Sequence, residues 1–166
     1  MSSDRSKLKE IIRLETVGLA VAACNGIKLD SPTKAGFYFT FTAMHRGKGN
    51  AYAVLLDRNR KIISSIKLKK DNKPSKYTVI QEIDKVLVYE KRAKYLLITH
   101  NHKDNPLTPS PEDLETTAIL EDYYNSRNIK FLGHYITSGM SYLYLSGDKV
   151  TYRKYSIQSE SPGKSK

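Results

Sequence analysis

Cysteine is almost absent from this chain: of 166 residues, Cys24 alone carries a thiol. A single cysteine excludes an internal disulfide and any zinc site built from several thiolates, and Cys24 itself reads as a small buried apolar residue. Long apolar runs are missing too. The stretch 17–24 falls far short of a membrane-spanning helix, and the opening MSSDRSKLKE has no apolar signal-peptide core, so the expectation is a cytoplasmic protein with no membrane partner. No internal repeat, zinc-finger, helix-turn-helix or aromatic-interleaved RNA-binding motif is visible. Negative charge is also scarce: 17 Asp and Glu stand against 28 Lys and Arg, a formal net charge of +11.

That excess is uneven. It gathers in residues 58–76, as Arg58, Arg60, Lys61, Lys67, Lys69, Lys70, Lys73 and Lys76, and again after Lys149. A basic surface attracts nucleic acid by releasing condensed counterions and needs no particular fold to do so. The same charges suit a plain solvated face, and both readings stand at this point. At 39 % hydrophobic residues the chain can bury the core of one ordinary domain. The expected domain covers 1–156, followed by a disordered basic tail over 157–166 that is poor in apolar residues.

Residues 11–23 are apolar and β-branched, a strand running towards an Asn25-Gly26 turn. Asp30-Ser31-Pro32 offers an N-cap and a first-turn proline for a helix over 32–44, although FYFTF within it is β-prone. AYAVLLD and KIISSIKL read as a hairpin turning at 58–60. Over 77–92, Val79, Ile80, Ile83, Val86 and Leu87 share one helical face. YLLIT is a short apolar run of the kind buried on both faces of a sheet. A helix over 111–127 starts behind Ser110 and Pro111, and IKFLGHYIT, SYLYLS and VTYRKYSI supply closing strands.

YLLIT delivers the chain to His100 and His102. Residues two apart near a strand end point to the same side, so both imidazoles can address one point. Asp113 falls in the first turn of the following helix, where a carboxylate is favoured by the helix dipole. Two histidines and a carboxylate make a catalytic-type zinc site with a fourth position open to water. The same residues also have a purely local reading: Ser110 caps the helix and Asp113, three residues on, completes a capping box. A lone HxH does not decide between them.

The wider spacing does carry a resemblance. His100, His102, Ser110 and Asp113 follow the pattern HxH, seven residues, Ser, two residues, Asp, which is similar to the JAMM metal signature of JAB/MPN-domain proteins. Around it HNHKDN, Thr108-Pro109-Ser110, Glu112-Asp113, Thr117 and Leu132-Gly133-His134 resemble the HNHPSG, TPS, ED, Thr and LDH elements of the RadC group. Upstream, LDSP, AVLLD and IQEI resemble that group's SP, LLD and PRE segments, so the likeness spans roughly 28–146. It implies an α/β fold: one JAB/MPN domain with a curved mixed sheet flanked by helices, related in architecture to cytidine deaminases. Deaminase chemistry itself is disfavoured, because it needs PCxxC and the chain has one cysteine. Active JAB proteins are zinc metallopeptidases acting on peptide or isopeptide bonds, and the RadC group carries a DNA-repair label.

By the same resemblance Zn²⁺ is held by His100, His102 and Asp113, and Ser110 helps orient the oxyanion. The pattern breaks at the general base. The family's Glu at the entrance to the strand after the first helix falls at Gly49 or Asn50, neither of which can take a proton. Glu82, in the segment resembling PRE, and Glu15 are the candidate replacements. The family's Pro after HxH is Lys103 here, and the Asp of LDH is Gly133, with His134 read as a hydrogen-bonded core residue. Two functions therefore remain open: a zinc-dependent hydrolase of the metallopeptidase type, impaired in its base, or a silent JAB domain that binds nucleic acid or a protein partner through its basic surface.

Overall fold

The computed structural model describes residues 27–46, 51–68, 76–102, 107–146 and 151–156. The expected strand over 11–23 with Glu15, Cys24 and the Asn25-Gly26 turn lies outside them, as do Gly49, Asn50, Lys69, Lys70, Lys73, Lys103 and the tail. Among the described residues, three helices and six strands follow in the order α1 (Pro32–Arg46), β1 (Ala51–Leu56), β2 (Ile62–Leu68), α2 (Lys76–Leu87), β3 (Tyr95–Asn101), α3 (Pro111–Asn125), β4 (Lys130–Ser138), β5 (Ser141–Ser146) and β6 (Thr151–Ser156). The strands form one mixed sheet in the order β2-β1-β3-β4-β5-β6. Only β3 and β4 run parallel, joined through α3; the other neighbours are antiparallel. This is the α/β architecture, helices on both faces of a mixed sheet, that the JAB resemblance implies. No helix among the described residues is long and apolar enough to cross a membrane.

Alternation along the strands builds a core on each face of the sheet, with a smaller cluster of Leu107, Ile136, Leu143 and Leu145 beside them. On one face Val54, Leu56, Leu97, Tyr135 and Tyr142 pack with Phe37, Tyr38 and Phe39 of α1. On the other, Ala53, Leu55, Leu96, Ile98 and Phe131 meet Val79 and Ile83 of α2 and Leu120 and Tyr124 of α3. β3 is buried from Leu96 to Thr99, as its unbroken apolar run requires of a strand covered on both sides.

The β-prone FYFTF is helical and lies wholly inside α1. Its aromatic rings pack from the helix against the sheet, so tertiary packing overrides local propensity. The helix begins as expected, with Ser31 Oγ accepting the Lys34 N–H at 3.1 Å. It sits tight on the sheet at Gly36, where an added Cβ would come within 2.1 Å of the Tyr142 ring. The predicted helix over 77–92 is shorter, closing at Leu87. Beyond that point the apolar face loses its partner: Val88 and Tyr89 are 60 % and 87 % exposed, and Glu90 folds back to chelate the Arg92 guanidinium at 2.9 and 3.1 Å. α3 likewise stops at Asn125 instead of 127, capped by Ser126 and followed by Asn128 at φ 63°.

One irregularity matters for the site. β4 pairs Phe131 with Leu96 but Gly133 with Leu97, so Leu132 is an extra residue in the strand. A bulge resets side-chain alternation. Phe131 and His134, three apart, would face opposite ways on a regular strand; here both point towards α3.

Candidate metal centre

His100 and His102 leave the end of β3 on the side of α3, carrying on the alternation of Leu96 and Ile98. His102 lies just past the strand, yet its N–H still reaches Thr137 O at 2.9 Å, so the strand end is held to β4. On the other side His100 pairs in register with Ala51, where β1 begins.

α3 starts opposite. Ser110 Oγ accepts the Asp113 N–H at 3.0 Å, and Asp113 Oδ2 accepts the Ser110 N–H at 2.9 Å, a complete capping box with Pro111 behind it. This arrangement holds Asp113 facing the histidines. Its Oδ1 is 3.4 Å from His100 Nε2, and its Oδ2 is 3.3 Å from His102 Nε2. One ligand atom from each of the three lies within 4.8 Å of the others. Tetrahedral zinc, with bonds of about 2.0–2.1 Å, keeps its ligands roughly 3.3–3.5 Å apart, a range into which the two histidine–carboxylate distances fall.

Electrostatics agree with ligation. Burial pushes His100 down to about 4, against the pull of the Asp113 carboxylate, so its imidazole is neutral at pH 7. Burial lowers His134 as well, with His100 adding to it. For Asp113 burial works upward, but the hydrogen bond to His102, the charge of His100 and the Ser110 N–H outweigh it and hold the carboxyl well below its usual range. Neutral imidazole and ionised carboxylate are the forms a cation needs.

Behind His100 lies a buried second layer. His134 Nε2 is 2.7 Å from His100 Nδ1, and His134 Nδ1 is 2.9 Å from Thr117 Oγ1. The Thr117 hydroxyl donates to Asp113 O at 2.7 Å. The expectation that His134 is a hydrogen-bonded core residue matches its 3 % exposure, and its partner proves to be a residue of the cluster. Thr117 entered the sequence reading only as an element of a pattern; its placement one helical turn after Asp113 is the signal that could have found it.

This strand-end and helix-start geometry, two histidines facing a capped aspartate, carries the JAMM spacing in three dimensions. A model of the RadC-like JAB domain matches residues 29–150. The chain belongs to the RadC-like JAB domain family. Its relatives include a UPF0758 protein of Finegoldia magna, 25 % identical over 164 aligned residues that cover 89 % of this chain and 70 % of that protein. A UPF0758 protein of Neisseria meningitidis serogroup C is 28 % identical over 123 residues, 74 % of this chain and 54 % of its own, and one of Geotalea uraniireducens is 26 % identical over 151 residues, 81 % and 66 %. The chain thus spans from about half to 70 % of the length of these relatives.

The other candidate residues of this RadC-like domain are placed as follows. Glu82 is on α2, paired with Lys85 at 3.6 Å, and does not belong to the three-ligand cluster. Arg58, Arg60 and Lys61 sit at the β1–β2 turn, with Arg60 stacked 4.7 Å over the Tyr95 ring. Lys67 is exposed near the far end of β2, opposite Tyr52 of β1, which in turn pairs with Thr99 of β3. At about 3.4 Å per residue, roughly 20 Å of strand separates it from Lys61. The hairpin therefore spreads its described cations along an edge and does not gather them at one point. Lys76 opens α2, and its side chain is not described.

Proposed function

We propose that this RadC-like domain is a zinc-dependent hydrolase of the metallopeptidase type, taking a peptide or isopeptide substrate and working slowly for want of a well-placed base. The carrying observation is the convergence of one ligand atom each from His100, His102 and Asp113 within 4.8 Å at a partly exposed strand end. Zinc bound there would supply a Lewis acid and an activated water.

The chain's own residues then have definite tasks. His100 and His102 donate nitrogen lone pairs. Asp113 Oδ2 is engaged by the Ser110 N–H, which leaves Oδ1 the freer oxygen for a cation. Ser110 Oγ accepts from the Asp113 N–H and still has a proton of its own, which it can offer to the oxygen of a scissile carbonyl as negative charge grows there. The chain enters β1 at Ala51, paired with His100, and the two preceding residues, Gly49 and Asn50, have no titratable side chain. A positioned base contributes about 10²–10⁴-fold, so its lack makes turnover slow without abolishing zinc binding. Glu82 is the replacement this reading carries forward, tested by Glu82→Gln.

The test is elemental analysis of purified protein together with hydrolysis of a peptide and isopeptide panel. Close to one zinc per chain, lost in His102→Ala, with weak zinc-dependent cleavage, is the expected result. No metal after zinc reconstitution would overturn the reading and leave Asp113 as a helix cap alone. A second reading, nucleic-acid binding by a silent domain, is favoured by the exposure of Arg58, Lys61 and Lys67 on a chain of net charge +11.

A further inference from the structure

We propose that Thr117 and His134 form a hydrogen-bond relay that holds His100 as its Nδ1–H tautomer, so that the Nε2 lone pair faces the Asp113 carboxylate and is presented to a metal. Its purpose rests on the metal-centre reading above; the relay itself is a property of the folded chain. The argument is proton bookkeeping. Asp113 O is a carbonyl and can only accept, and Thr117 Oγ1 lies 2.7 Å from it, so the single hydroxyl proton of Thr117 goes there. Thr117 Oγ1 must then accept at its 2.9 Å contact with His134 Nδ1, which makes that nitrogen the N–H. A neutral His134 has only a lone pair left at Nε2, and its 2.7 Å contact with His100 Nδ1 requires the proton on His100. His100 Nε2 is bare as a result.

A bare nitrogen 3.4 Å from a carboxylate oxygen, two acceptors face to face, is an arrangement that a cation between them resolves. The reversed relay would turn the Thr117 hydroxyl to donate to His134 Nδ1, leave Thr117 Oγ1 and Asp113 O 2.7 Å apart with no proton between them, and end with a proton on His100 Nε2 aimed into the site. The circuit also closes on itself: it leaves one ligand, His100, and returns to the backbone of another, Asp113. His134 and Thr117 are positioning residues, since neither touches the metal position. The bulge at Leu132 is what lets β4 bring His134 to this face.

The experiment is ring-¹⁵N NMR of histidine-labelled full-length protein, metal-free and zinc-loaded, with zinc affinity measured by chelator competition. Four histidines make the spectrum assignable by single substitutions. Nδ1–H is expected on both His100 and His134 before metal is added. Thr117→Val should let His134 reverse and weaken zinc about 10–100-fold, as loss of an outer-layer partner does, while Thr117→Ser, which keeps the hydroxyl, should retain near wild-type affinity. Nε2–H on His134 in the metal-free wild type overturns the relay, as does a folded Thr117→Val with unchanged tautomers and affinity. If Thr117→Val fails to fold, the wild-type tautomers decide alone. Both Nδ1–H tautomers in a protein that takes up no zinc would uphold the relay and sink the zinc reading.

Discussion

Asp113 caps a helix and, on the proposed zinc reading, would also hold a metal with the same carboxylate; Asp113→Asn separates the two tasks. In the structure Oδ2 accepts the Ser110 N–H at 2.9 Å while Oδ1 faces His100. An asparagine oxygen can still accept from Ser110, but the amide brings no charge and puts N–H donors where a lone pair is needed. In metal-free protein Asp113→Ala loses the cap bond, typically ~1 kcal/mol, and the charge at the helix start, ~0.3–1 kcal/mol, or about 1–2 kcal/mol together. Asp113→Asn loses only the second part. At about 2–4 °C per kcal/mol for a chain of this size, Tm should fall by about 2–8 °C in the alanine variant and by about 1–4 °C in the asparagine variant. Zinc at a hundredfold excess over Kd should stabilise wild type by about 2.7 kcal/mol, or roughly 5–11 °C, and neither variant. Thermal melts with and without zinc read all of this. An asparagine variant as zinc-stabilised as wild type would remove Asp113 from the ligand set. One as unstable as the alanine variant would show that the Ser110 bond is not what Asp113 contributes.

Restoring the family's aspartate by Gly133→Asp should destabilise this chain by about 1–3 kcal/mol, because a Cβ there falls 2.3 Å from the Tyr144 ring at φ +151° and that ring is tied to Leu132 O at 2.9 Å; denaturant unfolding checks it, and Gly133→Asp with Tyr144→Ala should recover part of the loss. Gly49→Glu and Asn50→Glu, made separately with zinc content verified, should raise cleavage of a responsive substrate in one variant only, towards the about 10²-fold floor of general-base help; fast wild-type turnover lost in Glu82→Gln would refute an impaired site. Nucleic-acid affinity should fall steeply with salt and weaken on reversal of Arg58, Lys61 and Lys67; binding that ignores those reversals in a filter or anisotropy assay would mark the hairpin edge as solvated surface.

The triad was legible because each part rests on a local rule. The period of two along YLLITHNH sets both histidines on one side, and Ser110-Pro111 fixes where α3 starts and hence where Asp113 faces. Less was legible where tertiary packing decides. FYFTF is helical since α1 gains a sheet to pack on, and α2 ends at Leu87, where the following Val88 and Tyr89 are exposed. His134 was readable as a buried histidine but not as the neighbour of His100. Counting alternation from Phe131 puts it on the wrong face, and nothing local in FLGHY marks Leu132 as the extra residue.

The capping box and the metal ligand were competing accounts of Asp113 at the level of sequence, and the geometry leaves room for both. A cap uses one carboxylate oxygen and a ligand would need one, and the two demands are compatible because Oδ1, which faces His100, is not the oxygen that accepts the Ser110 N–H. Each also prepares the other. The Ser110 N–H and the helix start favour the ionised carboxylate, the form a cation requires, and the cap fixes the direction in which it points. Thr117, one turn further along the same helix, extends this logic to His100 through His134. On the zinc reading and the proposed relay, the first two turns of α3 would orient one ligand directly and a second through a buried histidine, so that a helix, and not a loop, would set the aim of both.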